Sequence, residues 1–310
     1  MAGSIVGGMQ ERWEDERAAM VVLLRRARTE KQERETVARV MDAGSARRLL
    51  NEEQPSLFGG TADAELPAAR AELKRWRAQG IGVHALTEPD YPHQLSSAFD
   101  APGLVFTRGH VRPDDAGVAV VGSRSASPQA LADASVIACG LVARKLSVVS
   151  GLAAGVDTAA TVAALEAGGR AVGVIGTGVY HAYPPENLDL HRQVVSSGLV
   201  LSPFWPDTPP SKTTFPRRNG TMSAYCLATV IVAAGPRSGT RIQARRAVEH
   251  GRPVILLRSV LDGNDWAREL LDRPDVHVAA DVGGVLGALD DIARRPSDVG
   301  RLLQDLVDLP

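Results

Sequence analysis

Four glycine-bearing strand-to-loop junctions follow one another between residues 117 and 243, and they restrict the chain to one kind of architecture. They are VAVVGSRSAS (Gly122, Ser123, Arg124), SVVSGLAAGVD (Ser150, Gly151, Gly155, Asp157), AVGVIGTGVYHAYPPEN (Gly176, Thr177, Gly178) and TVIVAAGPRSGT (Ser238, Gly239, Thr240). Each is a short apolar, β-branched run that ends in small residues. Such runs form buried parallel strands, and small residues let backbone N–H groups approach a ligand. Helical patterns separate the runs, so the fold class is α/β with a doubly wound, mostly parallel sheet. Loops at the carboxyl ends of such strands gather on one edge, and ligands bind there. Several amide-rich loops on that edge suit a phosphate or a nucleotide.

Strands are predicted at 117–121, 147–150, 171–175, 198–201, 228–233 and 253–257, with a short one at 276–278. The proline-rich stretch SPFWPDTPPSKTTFPRRNG is expected to be a long loop that leads into a helix near 221–226. Helices near 282–293 and 298–306 follow the last strand. Upstream, residues 10–51 read as helical with a break near Gly44. Residues 52–63 read as a linker, and Glu65 to Gln79 as another helix. IGVHAL and GLVFTRG read as strands that dock on the sheet edge. The expected organisation is a small all-α unit over 1–60, the sheet domain over 61–293 and a helical tail over 294–310, with no winged helix.

A chain of 310 residues, 44% hydrophobic and 23% charged, is an ordinary globular composition. No apolar run reaches the roughly 18 residues needed to span a bilayer, and no signal peptide is evident, so a cytoplasmic protein is expected. Cys139 and Cys226 are expected to be buried thiols. No Cys/His cluster has metal-ligand spacing, and no metal or cofactor is expected. The net charge is -1, yet residues 203–258 hold nine Lys/Arg against two acids, Asp207 and Glu249. That local excess lies beside the glycine junctions and favours a polyanion.

At the first junction Arg124 could hold a phosphate bidentately. Ser150 and Gly151 add a hydroxyl and a close backbone approach. Asp157 serves either as a cap for the next helix or as a ligand contact. Gly176, Thr177 and Gly178 permit a tight turn. Ser238, Gly239 and Thr240 open a helix whose dipole favours an anion. In FPRRN, Arg217, Arg218 and Asn219, with Lys212 nearby, could contact phosphates, while Phe204, Trp205 and Phe215 stack bases or anchor the loop. There is no G-x-x-x-x-G-K-[ST] loop, no complete dinucleotide fingerprint and no G-x-S-x-G elbow. No general acid and base pair can be assembled from the sparse acids.

These motifs, in this order, resemble the DNA-processing protein A family (DprA, also called Smf). The shared signatures are VVGSR, SGLAAGVD, GTG followed by YPPEN, FPRRN, and SGT before a helix ending EHGRPV. The likeness covers about residues 65–260. It implies an extended Rossmann-like fold with a SAM-like helical domain, binding of single-stranded DNA, a homodimer and loading of the recombinase RecA in natural transformation. It implies no catalysis. The chain departs from the family pattern at Pro203, Gly220, Ala233, Thr161 and Gln243, where the family has an acid, Arg, an acid, His and Thr. A divergent member is therefore expected.

Part of GPRSGTRIQ also resembles the P-G-G-x-G-T-x-x-E motif of LOG-type phosphoribohydrolases. The catalytic glutamate falls on Gln243, and a neutral amide cannot act as a base. Other proteins of that superfamily sense nucleotides or act as antitoxin-like partners of a toxin in phage defence. That reading stands as the alternative, with a mononucleotide at the same loops.

Overall fold

The computed structural model describes residues 2–53, 62–235 and 238–307. The linker expected at 52–63, and with it the domain boundary near 60, lies largely outside these residues. Three helices open the chain, α1 (Ala2–Arg26), α2 (Glu30–Ala43) and α3 (Ala46–Glu52). Gly44, at φ +71°, ends α2 in the left-handed conformation that glycine adopts without strain. Helix α4 (Ala62–Ala78) leads to β1 (Gly82–Ala85), α5 (His93–Ser96) and β2 (Leu104–Gly109).

The alternating part follows: β3 (Gly117–Gly122), α6 (Pro128–Ala143), β4 (Ser147–Ser150), α7 (Val156–Glu166), β5 (Ala171–Val174), α8 (Leu188–Ser197), β6 (Leu199–Ser202), α9 (Thr214–Tyr225), β7 (Ala228–Ala233), α10 (Thr240–Glu249), β8 (Val254–Leu257), α11 (Asp265–Glu269), β9 (Val276–Ala279) and α12 (Val282–Val307). The nine strands form one sheet in the order β1-β2-β6-β5-β4-β3-β7-β8-β9. From β6 to β9 all pairs are parallel, while β1 and β2 add an antiparallel margin. The strand order reverses at β3, which lies between β4 and β7. That switch point opens a crevice outside the carboxyl ends of the strands.

Two elements differ from expectation. Residues 282–307 form one helix where two were expected. Helix α9 begins at Thr214, about two turns earlier than expected, so FPRRN is helical. Ser211 and Thr214 start it reciprocally: Thr214 N–H donates to Ser211 Oγ (3.1 Å) and Ser211 N–H donates to Thr214 Oγ1 (3.2 Å). Such an exchange satisfies free donors at a helix start, and proline is tolerated in the first turn, where Pro216 sits. Cys226 is buried, as expected, but Cys139 is exposed on α6, with its Sγ 4.0 Å from Ala163 O of α7.

The N-terminal helices share a hydrophobic cluster with one end of the sheet, through Met20, Leu23, Leu50 and Trp76 against Phe106, Ile175 and Val200. A hydrogen-bonded polar cluster fastens the same junction. Arg17 of α1 donates to Glu88 Oε2 (2.7 Å) and Asp90 Oδ2 (3.2 Å), and His84 Nδ1 is 2.9 Å from Asp90. Burial pushes the Glu88 carboxyl up to about 8, against the opposing pull of Arg17. Because the folded pKa lies above the unfolded one, the folded chain keeps a proton that the unfolded chain releases. The Glu88 contribution to stability is therefore expected to fall as pH rises from about 4.5 to about 8, at no more than about 1.4 kcal/mol per pH unit. Thermal unfolding of the wild type and Glu88→Gln between those limits checks this. The glutamine variant should lose that slope.

Candidate nucleic-acid interface

The switch-point crevice encloses about 780 Å³ between the ends of β3 and β7 and the start of α9. Glycines make it possible. A Cβ at Gly122 would stand 2.6 Å from Val156 Cγ2, and one at Gly155 (φ +78°) would stand 2.3 Å from Ser123 O. Their absence lets α7 press against the first junction, where Val156 N–H donates to Ser123 O (3.3 Å). Ser123 N–H donates to Ala233 O (2.9 Å), which fixes that junction to the end of β7. Arg124 is exposed at the mouth and makes no ion pair among the described residues. Its guanidinium carbon is 5.7 Å from the centroid of Phe215, and that of Arg218 is 6.0 Å from it. The half-buried Phe215 ring thus lies beside two cations at the crevice wall.

The chain's own groups fill the second junction. Asp157 accepts from Gly151 N–H (2.9 Å) and Ala153 N–H (3.4 Å). Arg218 donates through Nη1 to Gly151 O (2.9 Å) and Val174 O (2.7 Å), and through Nε to Asn219 Oδ1 (3.0 Å). Burial raises the Asp157 carboxyl pKa, and the charge of Arg218 opposes it. Burial pulls the Arg218 guanidinium down to about 10, and Asp157 opposes that. At neutral pH Arg218 remains a cation. Ser150 Oγ is 2.8 Å from Thr161 Oγ1 and accepts from Leu152 N–H (3.1 Å). Thr161 therefore fills, with a buried hydroxyl pair, the position where the family pattern has histidine.

At the third junction Gly176, Thr177 and Gly178 are buried and do not line the crevice. A Cβ at Gly176 would meet Phe215 Cδ1 at 2.6 Å, and one at Gly178 would meet Trp205 O at 2.1 Å. These glycines seat the Phe215 ring and the 205–206 backbone. Thr177 Oγ1 donates to His181 O (3.0 Å), and Thr177 O accepts from Ser202 Oγ (2.6 Å). At the fourth junction Asn219 Nδ2 donates to Gly239 O (3.3 Å), which ties α9 to the start of α10. Ser238 Oγ accepts from Thr240 N–H (3.2 Å).

Arg217 and Arg218 are consecutive on α9, so their side chains leave the helix about 100° apart. Arg218 faces the crevice. Arg217 faces a separate cavity, where its Nη2 donates to Glu33 Oε2 (2.5 Å) and its Nε is 3.7 Å from Glu30. Lys212 is exposed at the rim of that same cavity.

The crevice thus unites Gly122, Ser123, Arg124, Asp157, Arg218, Asn219, Ser238, Gly239 and Thr240. Ser150, Gly151 and Gly155 support it from beneath, and Lys212 and Arg217 lie apart. Sequence reasoning missed Ser125 and Met222 on its lining and Tyr183, whose ring centroid is 5.4 Å from that of Phe215. Tyr183 was detectable only as a member of the YPPEN stretch. Trp205 packs on Trp76 and Phe106, with centroids 6.2 and 5.5 Å away, and anchors the loop. Gln243 is buried at the crevice, its Nε2 donating to Thr229 Oγ1 (3.4 Å). At Gly220, a Cβ would stand 3.1 Å from Arg246 Nε, so Arg246 fills the space next to the missing family arginine.

Residues 82–268 match the family described as DNA recombination-mediator protein A. The chain is 42% identical over 189 residues to the DNA processing protein DprA of Streptococcus pneumoniae, covering 59% of this chain and 66% of that one. It is 33% identical over 185 residues to the DprA of Bacillus subtilis, covering 59% and 62%. It is 35% identical over 169 residues to protein Smf of Escherichia coli, covering 54% and 45%. The chain therefore spans about half to two thirds of these relatives. Among solved structures, that of DprA from S. pneumoniae superposes with a TM-score of 0.67 at 31% identity, over 87% of this chain and 97% of that one. DNA processing protein A from Helicobacter pylori, described for its single-stranded DNA binding mode, shares the fold with a TM-score of 0.60 at 23% identity, over 68% and 96%. No helix among the described residues is long and apolar enough to cross a membrane.

Proposed function

The chain belongs to the DNA recombination-mediator protein A family, and from that premise we propose that it binds single-stranded DNA in the switch-point crevice. The observation that carries this reading is Arg124. It is an exposed guanidinium without an ion pair among the described residues, set at the mouth of a crevice with an aromatic ring on its wall. The cation meets a phosphate, Ser123, Ser125 and Ser238 donate to its oxygens, and Phe215 offers a stacking edge for a base. Asp157 and Arg218 are each hydrogen-bonded to nearby backbone and their charges offset each other, and their role is to hold the crevice open.

The protein acts by binding, not by catalysis. Asp157 is committed to two backbone amides, and Gln243 carries no charge. Delivery of the bound strand to RecA during recombination or natural transformation, and pairing into a homodimer, belong to the same proposal and rest on the family relationship.

Fluorescence anisotropy with a labelled oligonucleotide tests it. If three phosphates are held, the Kd should rise roughly 10- to 20-fold between 50 and 200 mM salt. No binding at 50 mM salt would sink the reading. Thermal stabilisation by a mononucleotide, without a response to oligonucleotides, would favour the nucleotide-sensor alternative instead.

A further inference from the structure

A second cavity of about 500 Å³ lies between α2 and α9, and none of its lining residues lines the crevice. Leu24, Val37, Ala101, Leu104, Phe106 and Trp205 supply an apolar interior. The Trp205 ring is fixed before any ligand arrives. Trp76 and Phe106 pack against it, and the guanidinium of Arg25 lies 4.1 Å from its centroid. Gly103 closes the back wall, because a Cβ there would be 2.8 Å from Val37 Cγ2 and 3.2 Å from Leu24 Cδ1.

The rim is charged and mostly compensated. Arg34 pairs with Glu30 (2.5 Å), and Arg217 with Glu33 and Glu30. Arg246 pairs with Asp100 and with Glu249 (2.6 Å), and Arg245 with Glu249 (3.3 Å). Lys212 is exposed at the rim and makes no ion pair among the described residues. A preformed cavity of this size, with an apolar interior and its charged groups at the rim, has the character of a small-molecule site.

We propose that this cavity binds a small amphipathic organic anion, with an aromatic or acyl body against Trp205, Val37 and Leu24 and a single carboxylate or sulfonate at Lys212. One uncompensated cation matches one negative charge. A polynucleotide does not fit, because the other rim cations are already paired with carboxylates and the apolar interior offers successive phosphates few donors. The site is independent of the crevice and of the DNA-binding reading.

The aromatic monosulfonate 8-anilinonaphthalene-1-sulfonate, titrated into the full chain, tests the assignment. Its fluorescence should saturate at one site per chain, and decanoate should displace it. Lys212→Glu should weaken the probe about tenfold, since it sets like charges together. This exposed substitution should leave the melting temperature unchanged. Val37→Trp should abolish binding by filling the interior, while Arg192→Ala, a cation on distant α8, should not change it. Absent or non-saturable binding would overturn the proposal, as would equal affinity in Lys212→Glu and Val37→Trp. Weakening by Val37→Trp alone would overturn the anion.

Discussion

Arg218→Ala is expected to destabilise the folded chain by about 3–5 kcal/mol, the usual cost of leaving a buried charge without its nearby counter-charge. Arg218 is 6% exposed and faces the charge of the 4% exposed Asp157. The truncation leaves that carboxylate in the interior without a counter-charge. It also strips the Nη1 donor from two carbonyls, Gly151 O and Val174 O. Urea unfolding monitored by circular dichroism checks the effect through a lower midpoint at unchanged slope. Arg218→Ala combined with Asp157→Asn should cost clearly less than the two single losses added together, because the second change removes the stranded charge. A loss below about 1 kcal/mol in the single variant would show that the guanidinium is not held as described. Any fall in DNA affinity in this variant must be read after correction for the unfolded fraction.

Arg124→Glu is expected to weaken single-stranded DNA binding by roughly 10- to 100-fold at low salt, while stability stays within about 0.5 kcal/mol of the wild type. Arg124 is exposed, and its one close contact among those described is the Phe215 ring at 5.7 Å. Removing it costs the fold little, whereas a carboxylate at the mouth repels phosphate. The slope of log Kd against log salt should shrink by at least about 0.7, the share of a single phosphate contact on a single strand. Arg217→Ala, which empties a site already neutralised by Glu33 and Glu30, should leave affinity within about threefold. Anisotropy titrations of both variants separate the two arginines. An unchanged Kd in Arg124→Glu would remove this residue from the interface.

Both expectations depend on distinctions that the linear chain does not carry. Arginines 217 and 218 are neighbours in FPRRN, and composition alone gives them one role. The proline-rich approach to them reads as loop. The reciprocal bonds of Ser211 and Thr214 start a helix instead, and Pro216 falls in its first turn. Once the segment is helical, adjacent side chains must diverge by about 100°, and one enters each cavity. The Ser-x-x-Thr spacing was visible beforehand, but the partners that give it meaning were not. The acids that hold Arg217 stand at positions 30 and 33, far away in sequence.

What the residues by themselves determined was the parallel sheet and the edge on which its loops meet. The hydrophobic runs at 117–122, 147–150, 171–174 and 228–233 are too short and too β-branched for helices, and helical stretches between them require parallel crossovers. Only the folded packing decided which loops stayed open. Amides after β4 look as ready for an anion as those after β3, yet Asp157 swings back to take them. Backbone periodicity is a local property and is written along the chain. The filling of a polar cradle depends on groups brought together from separate segments, and burial enforces it, because an unsatisfied donor or charge inside a protein costs more than the chain can leave unpaired.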